Sequence, residues 1–227
     1  MIIKVVNDYD ALSLSAAEEV AHLLKTNPRT NLALPTGNSP RGCYKILSQW
    51  SKDGIISWAA AKCFALDDYL DIDPQYSFHQ LLASELYQNT NLPDHSRFNP
   101  LQVENYDQLI LEDGGLDLCI LGIGENGHIA FNEPPTPLAS WTHCVWLSDM
   151  TRSANQKYFS EQITIPTRAI TVGISTILAS RKIILLASGE NKKQALVGAL
   201  NHGADANLPA SFLSGHKDLL VIADFDW

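Results

Sequence analysis

Residues 182–202 read KIILLASGENKKQALVGALNH, and this stretch decides the fold. Lys182–Ala187 is rich in Ile and Leu with no polar alternation, the pattern of a strand buried on both faces. A turn at Ser188–Gly189 follows, then a helical pattern over Asn191–His202. Working outward, the same strand-then-helix unit recurs. Strands are expected at Ile2–Val6, Asn31–Leu34, Lys62–Leu66, Leu116–Leu121, Ala169–Val172 and Leu219–Ala223. Helical segments lie near Tyr9–Lys25, Pro40–Asp53, Ser77–Gln88, Tyr106–Asp113 and Thr151–Phe159. Buried strands separated by helices form a parallel sheet with right-handed crossovers. The expected fold class is therefore α/β, a doubly wound, mostly parallel sheet with helices on both faces (Rossmann-like, three-layer αβα). Ligands in that class bind at the carboxyl ends of the strands.

The length of 227 residues suits one domain spanning 1–227. Apolar residues make up 45% and charged residues 18%, which argues against disorder. The net charge of −9 repels nucleic acid and anionic membrane, so neither is an expected partner. A phosphorylated small molecule is compatible with it, because local N–H groups and one or two cations can overcome the global field. Cys43, Cys63, Cys119 and Cys144 form no C-x-x-C pair, and they read as reduced, mostly buried thiols. No apolar run approaches the roughly 20 residues that span a bilayer. The opening MIIKVVNDYD turns acidic within ten residues and has no signal-peptide pattern, so a cytoplasmic protein is expected.

Four segments next to strand ends carry chemistry. The first is Leu34-Pro35-Thr36-Gly37-Asn38-Ser39-Pro40. Gly37 and Asn38 tolerate a tight turn, and Pro40 fits the first position of a helix. Free N–H groups there favour an anion, and Thr36 and Ser39 add hydroxyl donors. Taken alone, the segment reads first as a plain turn with Ser39 as a helix cap. The second is Leu66-Asp67-Asp68-Tyr69-Leu70-Asp71. Adjacent carboxylates push their pKa values apart, which suits a general base near neutral pH.

The third segment runs from Leu121 to Pro135, LGIGENGHIAFNEPP. Gly122, Gly124 and Gly127 spell the spacing of a dinucleotide site, but that fingerprint must open a helix and Pro134–Pro135 forbid a long one. The glycines read instead as a loop that lets backbone approach a small substrate. His128 and Glu133 lie on that loop and together can shuttle a proton. Their spacing matches no common metal pattern. The fourth is Ser188-Gly189-Glu190-Asn191-Lys192-Lys193, where Lys192 opposes the helix dipole and is a candidate phosphate ligand.

With these motifs in order, the chain resembles the glucosamine-6-phosphate deaminase/isomerase family over nearly its whole length. Gly124-Glu125-Asn126-Gly127-His128-Ile129-Ala130-Phe131-Asn132-Glu133-Pro134 is the most specific stretch. The patterns of Leu34–Pro40, Leu66–Tyr69 and Leu208-Pro209-Ala210-Ser211 also match. Related 6-phosphogluconolactonases share the Gly-His core but lack the Phe131–Pro134 tail. The resemblance implies that glucosamine 6-phosphate is isomerised and releases ammonia, giving fructose 6-phosphate, with no cofactor and no metal. It implies Asp67 as the base at C2 and C1, and His128 with Glu133 in opening the pyranose ring. Asn126 stands where some members carry Asp. Gly37–Ser39, Lys157 and Lys192 would bind the 6-phosphate, and Asp68 would touch the substrate or fix the loop. Lys157 stands where members commonly have Arg, and Asn38 where a second Gly is common. His143 and Val145 replace basic residues of allosteric hexamers, so a monomer or small homo-oligomer is expected. The span 142–172 is proposed as a lid. The same residues would serve a galactosamine 6-phosphate isomerase. A lactonase and a non-catalytic sugar-phosphate sensor are the further alternatives.

Overall fold

The computed structural model describes residues 1–156, 159 and 163–226. The unalternated apolar runs form its central sheet. Seven strands pair in the order β1 (Ile2–Val5), β10 (Leu219–Ala223), β9 (Lys182–Ala187), β6 (Leu118–Gly122), β2 (Asn31–Leu34), β3 (Lys62–Ala65), β5 (Arg97–Phe98). Every one of these pairings is parallel. In register, Ile120 lies beside Ile184 and Leu121 beside Leu185.

Alternate residues along each strand feed two cores. Leu32, Leu34, Ile120, Ile184, Leu186 and Ile222 pack on one face with α1 (Tyr9–Thr26) and α2 (Asn38–Lys52). Ala33, Cys119, Leu121, Ile183, Leu185 and Val221 pack on the other. That second face is covered by α4 (Tyr106–Glu112), α6 (Ile174–Leu178) and α7 (Lys193–Asn201). The doubly wound architecture is thus the one the sequence implies. Each Leu or Ile fully buried this way stabilises the fold by about 2 kcal/mol.

The strand order reverses between β2 and β6. After β2 the chain moves to β3 and β5; after β6 it moves to β9 and β10 on the opposite side. The crevice at their carboxyl ends is the switch point where this fold class takes its ligand. The two loops there meet closely: a Cβ on Gly122 would lie 3.8 Å from Ser39 Oγ.

Several expectations change in detail. The strand predicted at Ala169–Val172 exists as β8 (Arg168–Thr171), but it is not in the parallel sheet. It is the centre of a small sheet, antiparallel to β4 (Asp67–Tyr69) and β7 (His143–Trp146). Its Ala169 and Thr171 are buried while Arg168 is exposed, the alternation of a strand with one covered face. Asp67–Asp68 therefore sit on a strand, held there by pairing with Thr171 and Ile170 despite the poor strand propensity of Asp. Pro40 is the third helical residue of α2, because that helix starts at Asn38. The first-turn N–H groups have no intrahelical partner, so Pro is tolerated there too.

The span 142–172 consists of β7, α5 (Asp149–Asn155) and β8 with the segments between them. Cys43, Cys63 and Cys119 are buried free thiols; Cys144, on β7, is exposed. Among the described residues no helix is long and apolar enough to cross a membrane.

Candidate active site

A cleft of about 890 Å³ opens at the switch point. One wall is the turn after β2. Gly37 has φ 107°, a conformation open to glycine, and caps α2 without any side-chain bond. The α2 N–H groups are thereby left without a side-chain cap at the cleft, where Thr36, Asn38 and Ser39 also line the wall. Tyr9 secures this turn: its hydroxyl donates to Asn38 O at 2.6 Å and accepts from Gly42 N at 2.8 Å.

The floor carries Asp67. It is 6% exposed and is one of the residues lining the cleft. Burial pushes this carboxyl up to about 8, and the neighbouring Asp68 carboxylate adds to the effect. Asp68 is placed elsewhere. It is fully buried and accepts from Tyr69 N at 2.8 Å, Phe78 N at 2.8 Å, His79 N at 3.1 Å and Asn99 Nδ2 at 2.7 Å. It does not line the cleft. Its bonds to Phe78 N and His79 N join β4 to the start of α3 (Phe78–Glu85). The third carboxylate of the cluster, Asp71, accepts from Arg168 at 2.5 Å on the surface.

The opposite wall is the loop after β6. No helix follows its glycines; Ile129 and Asn132 instead form an isolated bridge. Gly124 is required for contact, since a Cβ there would lie 2.3 Å from the His128 ring. His128 Nδ1 is 2.7 Å from Asn126 Oδ1 and 4.0 Å from Glu133 Oε1. Asn126 Nδ2 donates to Glu133 Oε2 at 2.8 Å. Glu133 is 6% exposed and stands behind the other two, where Ser148 Oγ donates to its Oε1 at 3.3 Å. Burial lowers the His128 pKa, Glu133 opposes that shift and Lys192 reinforces it. The neutral imidazole is favoured, which leaves one ring nitrogen as a proton acceptor.

The sequence-selected residues thus converge. Thr36, Gly37, Asn38, Ser39, Asp67, Asn126, His128 and Lys192 line one cleft, with Glu133 directly behind it. Lys157 lies outside the described residues. A buried carboxyl with a raised pKa and a neutral imidazole in one water-accessible cleft can move protons on and off a bound molecule's carbon and oxygen atoms.

Residues 7–221 match the family described as glucosamine-6-phosphate isomerases/6-phosphogluconolactonase. The chain belongs to that family. A glucosamine-6-phosphate deaminase of Bacillus pumilus is 39% identical over 96% of this chain and 94% of its own length. One from Halalkalibacterium halodurans is 37% identical over 95% and 92%. A solved monomeric glucosamine-6-phosphate deaminase superposes with TM-score 0.94 at 34% identity, covering 98% of this chain and 97% of its own. A 6-phosphogluconolactonase from Thermotoga maritima reaches TM-score 0.76 at 18% identity, a likeness of fold.

Within this family frame, the sequence patterns did not single out Thr151, Asn155 and Arg41, which line the cleft, or Ser148, which contacts Glu133 behind it. Ser148 caps α5 by accepting from Thr151 N at 3.2 Å, and Thr151 Oγ1 comes within 3.5 Å of His128 Nδ1. A Ser three residues ahead of a Thr at a helix start was the available signal. Asn155 donates to Tyr69 OH at 2.8 Å, and no local pattern announces that contact. Arg41, one residue past the first motif, also lines the cleft.

Proposed function

We propose that this chain is a glucosamine-6-phosphate deaminase. The carrying observation is that the buried Asp67 carboxyl and the His128–Asn126–Glu133 group line and back the same cleft. The relatives at 36–39% identity over nearly full length support the reading, whereas the solved lactonase of the same broad family is only 18% identical.

His128 takes the proton of the anomeric hydroxyl on its free ring nitrogen and returns it to the ring oxygen, opening the pyranose. The aldehyde so formed acidifies the proton on C2. Asp67, as carboxylate, removes that proton while O1 takes one up, giving an enolamine; it then delivers its proton to C1 as the amine releases one N–H proton, which replaces the one O1 gained. The result is an imine at C2, and one water converts it to the ketone and ammonia. The atoms balance: hexosamine 6-phosphate plus water gives ketohexose 6-phosphate plus ammonia. Gly37–Ser39, Lys192 and Lys157 hold the 6-phosphate, and this remote binding orients C1 and C2 at Asp67. No step requires a cofactor or metal.

The small assembly, a monomer, and the cytoplasmic location belong to the same proposal. Three buried free thiols support the latter. Closure over the substrate falls to α5, which presents Thr151 and Asn155 to the cleft while β7 and β8 are tied to β4. Slower hydrogen exchange in 149–155 on adding a sugar-phosphate analogue is the expected sign; unchanged exchange rejects closure. The activity itself is tested by ammonia release from glucosamine 6-phosphate, run beside galactosamine 6-phosphate and 6-phosphogluconolactone. Turnover of the first above the other two is expected. Hydrolysis of the lactone with no ammonia from either amino sugar rejects the reading.

A further inference from the structure

Among the described residues, the Lys and Arg side chains lining the cleft are Lys192 and Arg41. Lys192 belongs to the phosphate set already described; Arg41 does not. It ends the first turn of α2, whose opening residues Asn38 and Ser39 belong to the anion wall. Its Nε donates to Glu85 Oε1 at 2.7 Å, and its Nη1 reaches Asn38 Oδ1 at 3.3 Å. The base beneath it is rigid. Tyr9 bridges Asn38 and Gly42, and Gly42 lies so close to α1 that a Cβ would come within 2.2 Å of Ser13 Oγ. Arg41 is 45% exposed and Glu85, at the end of α3, is 16% exposed. The carboxylate is thus the buttress and the guanidinium the presented group.

We propose that Arg41 is a binding residue of the cleft's phosphate end and that Glu85 is its positioning carboxylate. The inference deepens the reading of the cleft as a hexosamine 6-phosphate site and rests on it. A guanidinium carries five N–H donors in a planar fork, and Glu85 takes the Nε edge. The Nη edge is what an incoming phosphate dianion competes for. A chain of net charge −9 repels that dianion at long range, so a local cation on the same wall as the free α2 N–H groups raises its capture.

The test compares the parent with Arg41→Met, Arg41→Lys, Glu85→Ala and the double variant Arg41→Met/Glu85→Ala. Circular dichroism first checks that each is folded. Two readouts are taken: the Kd of inorganic phosphate by calorimetry, and KM and kcat for ammonia release. Loss of a charge-assisted contact in Arg41→Met raises the phosphate Kd and the KM by about tenfold or more, with kcat changed far less. Arg41→Lys shows a smaller rise, because the charge remains and the fork is lost. Glu85→Ala also raises both, and the double variant is no worse than Arg41→Met alone, since Glu85 acts through Arg41. A folded Arg41→Met whose phosphate Kd stays within about twofold of the parent overturns the proposal. If Arg41→Met does not fold, the neutral Arg41→Gln carries the same decision. Additive losses in the double variant overturn the role of Glu85. A parent that binds phosphate but releases no ammonia refutes the deaminase reading, while the Kd series still decides Arg41.

Discussion

Asn126 donates its side-chain N–H to Glu133 Oε2 across 2.8 Å. A carboxylate only accepts, so this bond orients the amide. The Asn126 oxygen is then the atom 2.7 Å from His128 Nδ1, and it also accepts from His128 N at 3.2 Å. Nδ1 must therefore carry the ring proton, and Nε2 keeps its lone pair. Glu133 sets the tautomer of His128 without touching the ring at hydrogen-bond distance. Asn126→Leu removes this control, and kcat is expected to fall about 100-fold, the scale of a misplaced acid–base group. Nitrogen NMR of the parent should show a protonated Nδ1. An Nε2-protonated neutral ring sinks the argument.

Asp67 links activity to stability through one proton. Its folded pKa of about 8 lies above the ordinary carboxylate value, so the folded protein holds the proton to higher pH than the unfolded chain. Ionising it costs stability; the loss begins above about pH 4 and is complete above about pH 8. The base form is also the active form, so kcat/KM should rise with pH through about 8. Asp67→Asn should lower kcat by about 1,000-fold or more. The same variant should have a higher Tm than the parent at pH 8.5, and nearly the same Tm at pH 4. A variant less stable than the parent at pH 8.5 contradicts the burial account.

These residues also show where sequence reading ran out. The apolar strands at Asn31–Leu34, Lys182–Ala187 and Leu219–Ala223 were legible to the residue, because both faces are buried and nothing polar interrupts them. β4 was not legible, since Asp67–Asp68 carry no strand propensity and owe their conformation to β8, a hundred residues away. The two-residue β5 is too short to leave a pattern. At the site, Asp67, His128 and Lys192 stood out because each follows a strand with an unusual local chemistry. Thr151 and Asn155 did not, because they reach the cleft from α5, which tertiary packing alone brings over the switch point.

Asp68 offers a separation of scaffold from site. Its carboxylate satisfies four donors in a fully buried position. Asp68→Ala strands those donors, and leaving them unpaired should cost about 3 kcal/mol or more of unfolding free energy. Urea denaturation measures it. KM should remain close to the parent value in the fraction that folds. A raised KM with an unchanged urea midpoint would place Asp68 against the substrate instead.

Ala130 has φ 50° in the turn between Ile129 and Asn132. A left-handed conformation costs an L-residue with a Cβ about 1–2 kcal/mol, while glycine there loses about 0.5–1 kcal/mol of extra chain entropy on folding. The balance favours glycine by about 0.5 kcal/mol, so Ala130→Gly should raise Tm by about 1–2 °C in a chain of this size. The turn itself does not depend on the methyl group. Phe131 N donates to Thr171 Oγ1 at 3.1 Å, and Asn132 Nδ2 donates to Ile129 O at 3.0 Å and Val172 O at 2.8 Å. Those bonds lock the loop to β8 and the residue after it, so His128 and Glu133 keep their places and kcat should persist. Differential scanning calorimetry with a parallel ammonia assay checks both halves. A lower Tm in Ala130→Gly would mean that the methyl group of Ala130, a cleft-lining residue, contributes more by packing than the backbone loses by strain.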